Sequence, residues 1–279
     1  MLNIKKILVS IAILTIISSC EEVIDINLNY ADPAFVVEAI IYKDSVSLVR
    51  LTRTTSYFSI EEPKFVENAI IKINDGISSE ELSYTGNGYY TGDTIIGTEG
   101  RNYSIEISHE GNLYKGTSYM PKRTDIISVS YDRSESVSIF NPNGDTIFTI
   151  KSEFIDDPDI DNFYMVRFIL DGEVLKNSYY VLTEDKAVNG YINISDINNA
   201  DNDTIRFSEW MFYKGGEVEI QIFSIDESVY TYFLQLNDIL YWKRRVMPPT
   251  PYNPKSNISN GALGYFAAWA YDSKKIMLE

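Results

Sequence analysis

A nucleophilic triad in this chain would have to use His109, because it is the only histidine. His109 lies in Ser108-His109-Glu110-Gly111, where a strand ends in a turn, and no Gly-x-Ser-x-Gly elbow exists to present a serine. Its expected place is a solvent-exposed turn. Gly92 to Thr98 has the glycine spacing of a phosphate-binding loop. Thr98 stands where the lysine is required, however, and a strand context lacks the helix N-terminus that receives phosphate. Two acidic loops, Asp156–Asn162 and Asp196–Asp203, carry oxygens at alternate positions, as Ca²⁺ prefers. The first departs from the EF-hand pattern at Asn162, where glycine is expected, and at Phe168, where glutamate is expected. Asp and Asn also favour plain turns, so both loops read as solvated and no metal is assigned. Forty acidic side chains hide any carboxylate pair for glycoside hydrolysis. A single cysteine excludes an intramolecular disulfide framework and a Cys-rich zinc site. The expectation is a non-enzyme with no catalytic residue and no cofactor.

Charge narrows the partners. The 279 residues carry 24 Lys+Arg against 40 Asp+Glu, a net charge of −16. A field of that sign repels phosphate backbones, so nucleic acid is not an expected partner. It also repels an anionic lipid surface, so membrane attachment needs a covalent anchor. The apolar share of 44% and charged share of 23% fit an ordinary folded chain.

An anchor is written at the N-terminus. Lys5 and Lys6 precede an apolar run from Ile7 to Ile17, which is shorter than the about 20 residues that span a bilayer and suits a signal peptide. Ile17-Ser18-Ser19-Cys20 resembles the bacterial lipobox, in which two small residues fit a narrow peptidase cleft and the thiol takes the lipid. Residues 1–19 are therefore expected to be removed and Cys20 to be lipidated. Several acyl chains hold stably, since each buried CH₂ contributes about 0.8 kcal/mol. Glu21 and Glu22 follow at once and resemble a surface-export signal. Residues 20–32 are expected to form a tether.

Most of the remaining chain reads as strands. Ala34–Tyr42 and Ser45–Arg53 are β-branched and apolar around a turn at Lys43-Asp44. Ala69–Asn74 alternates and leads into Asp75-Gly76, a short hairpin signal. Glu81–Tyr84, Tyr89–Thr91, Tyr103–Ser108 and Leu113–Tyr119 complete a set expected to form an immunoglobulin-like β-sandwich over 33–121. Pro121 punctuates its end. A second β-rich domain is expected over 122–279, from Ile126–Tyr131, Thr146–Phe154, Phe163–Leu170, Ser178–Thr183, Thr204–Phe207 and Glu217–Ser224. Within it Asp226–Trp242 reads as a helix. Val229, Phe233, Leu236 and Leu240 make an apolar stripe, Asp226 suits the N-cap, and Lys243 to Arg245 suit the negative end of the dipole. Pro248, Pro249 and Pro251 forbid its continuation. The expected fold class is thus mainly β. It has two β-sandwich-like regions, the first immunoglobulin-like and the second with one long α-helix near the C-terminus.

The segment Asn253-Pro254-Lys255-Ser256-Asn257-Ile258-Ser259-Asn260-Gly261-Ala262-Leu263-Gly264-Tyr265-Phe266 resembles the closing motif of a Bacteroidota lipoprotein family, the domain of unknown function numbered 4249. The Cys-Glu-Glu start and the Tyr-Phe-Leu helix fit the same family. The resemblance implies an outer-membrane lipoprotein encoded beside a TonB-dependent transporter of the SusC type, with no established ligand residues. The probe of that implication is the motif itself. Asn257, Asn260, Gly261, Tyr265 and Phe266 either contact a partner or lock the final strand. Asp-[Ser/Thr]-aliphatic triplets at Ser45, Thr94, Thr146 and Thr204 resemble an O-glycosylation sequon of Bacteroidota, and the same triplets also suit a turn that opens into a strand. The expected function is a binding or accessory component of TonB-dependent nutrient uptake, lipid-anchored at the outer membrane and facing the cell surface. A structural or adhesive surface protein and a surface hydrolase are the alternatives. The ligand is unknown.

Overall fold

The computed structural model describes residues 32–55, 62–134, 146–155, 160–175, 181–184, 191–193, 216–241 and 252–279. Cys20, Glu21, Glu22, the loop Asp196–Asp203, the expected strand Thr204–Phe207, Lys243 to Arg245 and residues 156–159 lie outside them. Pro33–Glu279 is one compact unit.

The strands run in chain order. β1 is Phe35–Tyr42, β2 Ser47–Arg53, β3 Lys64–Phe65, β4 Ile70–Asn74, β5 Ser79–Glu81 and β6 Ser83–Gly86. β7 is Tyr89–Thr91, β8 Asn102–His109, β9 Asn112–Tyr119, β10 Ile126–Ser134, β11 Ile147–Ile155 and β12 Phe163–Leu170. β13 is Glu173–Val174, β14 Val181–Glu184, β15 Tyr191–Asn193 and β16 Glu217–Ile225. The helix α1, Glu227–Tyr241, follows, and β17, Leu263–Met277, closes the chain.

The protein is mainly β, with three sheets and a single helix near the C-terminus among the described residues. A ten-stranded sheet has the order β13-β12-β16-β17-β1-β2-β7-β6, with β14 also on β12 and β3 also on β2. A four-stranded sheet runs β5-β4-β8-β9, and a three-stranded sheet runs β10-β11-β15. β17 is the hinge of the arrangement. It pairs in parallel with β1 from Val36↔Leu263 to Tyr42↔Trp269, then antiparallel with β16 from Ser224↔Ala270 to Glu217↔Met277.

Alternation decides which face each core occupies. In β1, Phe35, Val37, Ala39 and Ile41 are buried toward the four-stranded sheet, with Ile71, Ile73, Ile105 and Ile107 opposite. In β17 the same face carries Phe266, Ala268 and Ala270. Ser224 is directly opposite Ala270, so Ile222, Ile220 and Val218 continue that face, and they pack against Phe148, Ile150 and Phe154 of the three-stranded sheet. The two small sheets therefore sit on the same face of the large one. The opposite face carries Phe223, Ala267 and Trp269 under Val229 and Phe233 of α1. The middle of β17 is covered from both sides, which explains why alanines of weak β propensity hold a strand there.

The solvent face of the four-stranded sheet is charged. Glu81, Lys72, Glu106 and Lys115 lie directly opposite one another in one row, with alternating sign. Such cross-strand pairs stabilise a sheet modestly and keep its outer face wet.

Three expectations change. The stretch Glu81–Tyr84 is not one strand: β5 and β6 belong to different sheets, and buried Leu82 makes the crossing by donating its N–H to Ile71 of β4. The expected boundary at Pro121 is crossed by the large sheet, because β17 returns to complete the core built by the first 121 residues. The helix stripe ends at Leu236, and Leu240 is 52% exposed.

Candidate functional site

A dense polar constellation lies where β9, α1 and β17 meet. β16 leaves β17 before Ala270 because its chain turns into α1 at Asp226. The preceding stretch of β17 then has an edge to fill, and side chains fill it. Asn257 Oδ1 accepts from the Phe266 N–H at 2.8 Å, and Asn257 Nδ2 donates to the Phe266 carbonyl at 2.7 Å. These are the two bonds that a residue of a neighbouring strand exchanges. Nδ2 also donates to the Thr117 carbonyl at 3.1 Å. The Ser118 hydroxyl accepts from the Ala268 N–H at 2.9 Å and donates to Asp226 Oδ2. Asp226 Oδ2 also accepts from the Tyr119 N–H, while Oδ1 caps α1 through the Val229 N–H at 2.9 Å. Asp226 is thus the N-cap expected from sequence and a strand clamp as well.

The motif loop lies along the outer edge of β9. Ser259 donates its N–H to the Lys115 carbonyl at 2.7 Å, and the Lys115 N–H returns to Ser259 Oγ at 2.8 Å. Two glycines permit this closeness. A Cβ on Gly116 would stand 2.9 Å from Ile258 Cδ1. A Cβ on Gly264, whose φ is +92°, would run into the carbonyl of Val37 in the parallel strand.

The candidate partner-contact residues therefore divide. Phe266 is wholly buried and Asn257 is bonded into the junction. Tyr265 is half-buried, 5.1 Å from the Tyr232 ring and 5.0 Å from the Phe233 ring. Asn260 and Gly261 are exposed in a turn with positive φ, at 59° and 73°. Asn257 and Phe266 lock the final strand and Asn260 and Gly261 form an exposed turn tip, while Lys255, Ser256 and Asn257 line a groove of 290 Å³ with Glu227, Ser228 and Thr231 of α1.

The second polar place is a groove of 480 Å³ at the mouth of the first core. That is a size typical of small-ligand pockets. One wall is the end of β2 with β3 and the residues after it: Arg53, Lys64, Phe65, Glu67 and Asn68. The other is the β8–β9 turn, with His109 and Glu110. Arg53 is held in place: Nη2 donates to Glu110 Oε2 at 2.7 Å, Nη1 reaches the Pro33 carbonyl at 3.4 Å, and the guanidinium lies over Phe35. Glu67 Oε1 accepts from the Tyr84 hydroxyl at 2.9 Å. Among the described residues, the ammonium of Lys64 and the side-chain amide of Asn68 have no partner.

His109 is not the exposed turn residue that the sequence suggests. Its side chain is only 11% exposed and its ring stacks on Phe35 at 5.7 Å. Nε2 lies 3.5 Å from Glu110 Oε2, and Nδ1 is buried without a hydrogen-bond partner. The turn is where expected, but the ring folds inward over the aromatic mouth of the core, burying apolar edge.

A third polar knot is structural. Asp75 accepts from the Ile77 and Ser78 N–H groups at 3.0 and 2.7 Å and pairs with Arg101 at 2.5 Å. Burial alone would push its carboxyl up. The N–H groups of Ser78 and Ile77, the Ser78 hydroxyl and Arg101 outweigh that and hold it below its ordinary value. Glu80 is likewise pushed up by burial but held low on balance by the Thr94 hydroxyl and the N–H groups of Thr94 and Asp93. Among the candidate glycosylation sites, Thr94 is exposed with its hydroxyl 2.7 Å from Glu80 Oε2. Ser45 and Thr146 are half-buried, and Thr204 lies outside the described residues.

Among the described residues, no group of three or more His, Cys, Asp or Glu side chains is placed to hold a metal ion. No described helix is long and apolar enough to cross a membrane. Fold and site together define a mainly-β protein whose one large sheet carries two smaller sheets on one face and a helix on the other, with a ligand-sized groove at the rim. The chain belongs to the family described as Domain of unknown function (DUF4249), whose model matches residues 21–275. No curated protein matches it in sequence.

Proposed function

We propose that this protein is a lipid-anchored outer-membrane binding module that serves a TonB-dependent transporter of the SusC type in nutrient uptake, on the cell surface of a member of the Bacteroidota. The observation that carries the reading is Ile17-Ser18-Ser19-Cys20 behind a basic, then apolar leader and ahead of Glu21-Glu22. Family membership supports it, because the match begins at residue 21, directly after the lipid-accepting cysteine. The rim groove supports it further: it is of ligand size, and its free donors are not used by the fold.

The test is affinity purification of the tagged, full-length protein from native outer membranes in mild detergent, followed by mass spectrometry. A stoichiometric TonB-dependent transporter is the expected companion. A lipoprotein that comes out alone would instead favour an adhesive or structural surface role. Cys20→Ala is expected to release the protein from the membrane with its thermal unfolding unchanged, since residue 20 precedes the compact unit that begins at Pro33. Retention of that variant in the membrane fraction would refute the anchor.

A further inference from the structure

Arg53 and Lys64 are directly opposite each other on β2 and β3. Residues in that register point to the same face, and like charges so placed destabilise the pair unless something neutralises them. Half of the neutralisation is present. Arg53 has Glu110 at 2.7 Å, whereas no carboxylate of the described residues lies within ion-pair distance of Lys64. Of the two carboxylates that line the groove, Glu110 pairs with Arg53, and Glu67 accepts from the neutral Tyr84 hydroxyl and keeps its charge outside ion-pair distance of Lys64. What remains open is a set of donors: three on the Lys64 ammonium, the Asn68 amide, and those of the five Arg53 N–H groups not directed at Glu110 and Pro33. The backbone of Asn68 is held at φ 60°. Phe65, the next residue of β3, turns its ring to the other face, where the Arg50 guanidinium lies over it at 5.7 Å.

We infer that the rim groove is an anion-recognition site, in which a carboxylate or phosphate group of the ligand lies between Arg53 and Lys64 and bonds to Asn68. Charge-assisted bonds to two cations provide the affinity, and Glu110 fixes the Arg53 fork so that little is lost in ordering it. The anionic group has two sources with the same chemistry, a small soluble ligand and a lipid headgroup. The inference deepens the binding-module reading and rests on it for its biological meaning.

The test uses the full-length protein in non-ionic detergent, titrated with inorganic phosphate and with benzoate against chloride at equal ionic strength. A saturable rise in melting temperature with at least one of them is expected. Lys64→Gln should weaken it tenfold or more, whereas Lys122→Gln, at an exposed lysine away from the groove, should leave it unchanged. No saturable response in the parent protein, or a response that survives Lys64→Gln, overturns the inference. The source is separated by flotation of the Cys20→Ala protein with phosphatidylglycerol and with phosphatidylcholine vesicles. Lys64-dependent flotation with the anionic vesicles alone assigns the headgroup. Saturable phosphate or benzoate binding without flotation assigns a small ligand. Transporter co-purification is read separately by mass spectrometry, so loss of either result leaves the other standing.

Discussion

The junction at Asn257 and the groove at Lys64 are both polar places at the rim of the first core, and they are built in opposite ways. At the junction, Asn257, Ser118 and Asp226 bond the backbone of three elements, and donors meet acceptors. At the groove, two cations share a register and, among the described residues, only one of them is paired with a carboxylate. Buried polar groups that are fully satisfied give rigidity and a unique arrangement. Exposed donors that the fold does not use stay available to something else. The difference teaches that Asn257 and Phe266 of the motif serve the fold, whereas Arg53 and Lys64 of the rim groove carry donors that the fold does not require.

Gly264→Ala should have the largest effect on the junction. The added Cβ meets the Val37 carbonyl inside a parallel pairing, at a φ that alanine rarely adopts. A loss of roughly 3 kcal/mol or failure to fold is expected, read by chemical denaturation. Unchanged stability would mean that β1 and β17 do not approach as closely as described. Asn257→Ala comes next, at about 2–3 kcal/mol, because it leaves the Phe266 N–H and carbonyl without partners. Hydrogen exchange at the Phe266 amide should accelerate in that variant, and slow exchange there would refute the strand-substituting role.

A smaller effect is expected at Asp75. Its carboxyl is held below the ordinary value, so its contribution is complete above a pH of about 4 and is lost as pH falls through the folded value. Asp75→Asn should therefore flatten the acid limb of the stability profile below pH 4. A parallel limb in both proteins would show that Asp75 is not part of it. The smallest change sharpens the contrast from the other side. Lys64→Gln should leave the unfolding free energy of the ligand-free protein unchanged or raise it slightly, by up to about 0.5 kcal/mol, because it removes a like-charge pair. A marked destabilisation would make Lys64 a structural residue like Asn257.

The sequence by itself determined the elements that repeat a local pattern. Alternation marked β4 and β8 to within a residue, since each turns one apolar face to the core and one largely polar face to water, and a β-branched, apolar run marked β1. The stripe Val229-Phe233-Leu236 and the cap at Asp226 marked α1, since both are set within a few residues. Asp75-Gly76 marked a turn whose side chain does bond its own backbone. Asn257 and Gly264 were legible as a loop that locks the last strand, but not as the groups that fill an edge of it. Only the tertiary structure decided which strands meet. β17 lies more than 200 residues after β1 and still completes its sheet. Arg53 and Lys64 become a pair only through the β2–β3 register, and His109 turns inward only because Phe35 lies beneath it. The physical reason is range. Local propensity and periodicity are written in neighbouring residues, whereas a register, a shared face and an unneutralised charge depend on partners that the chain brings together only when it folds.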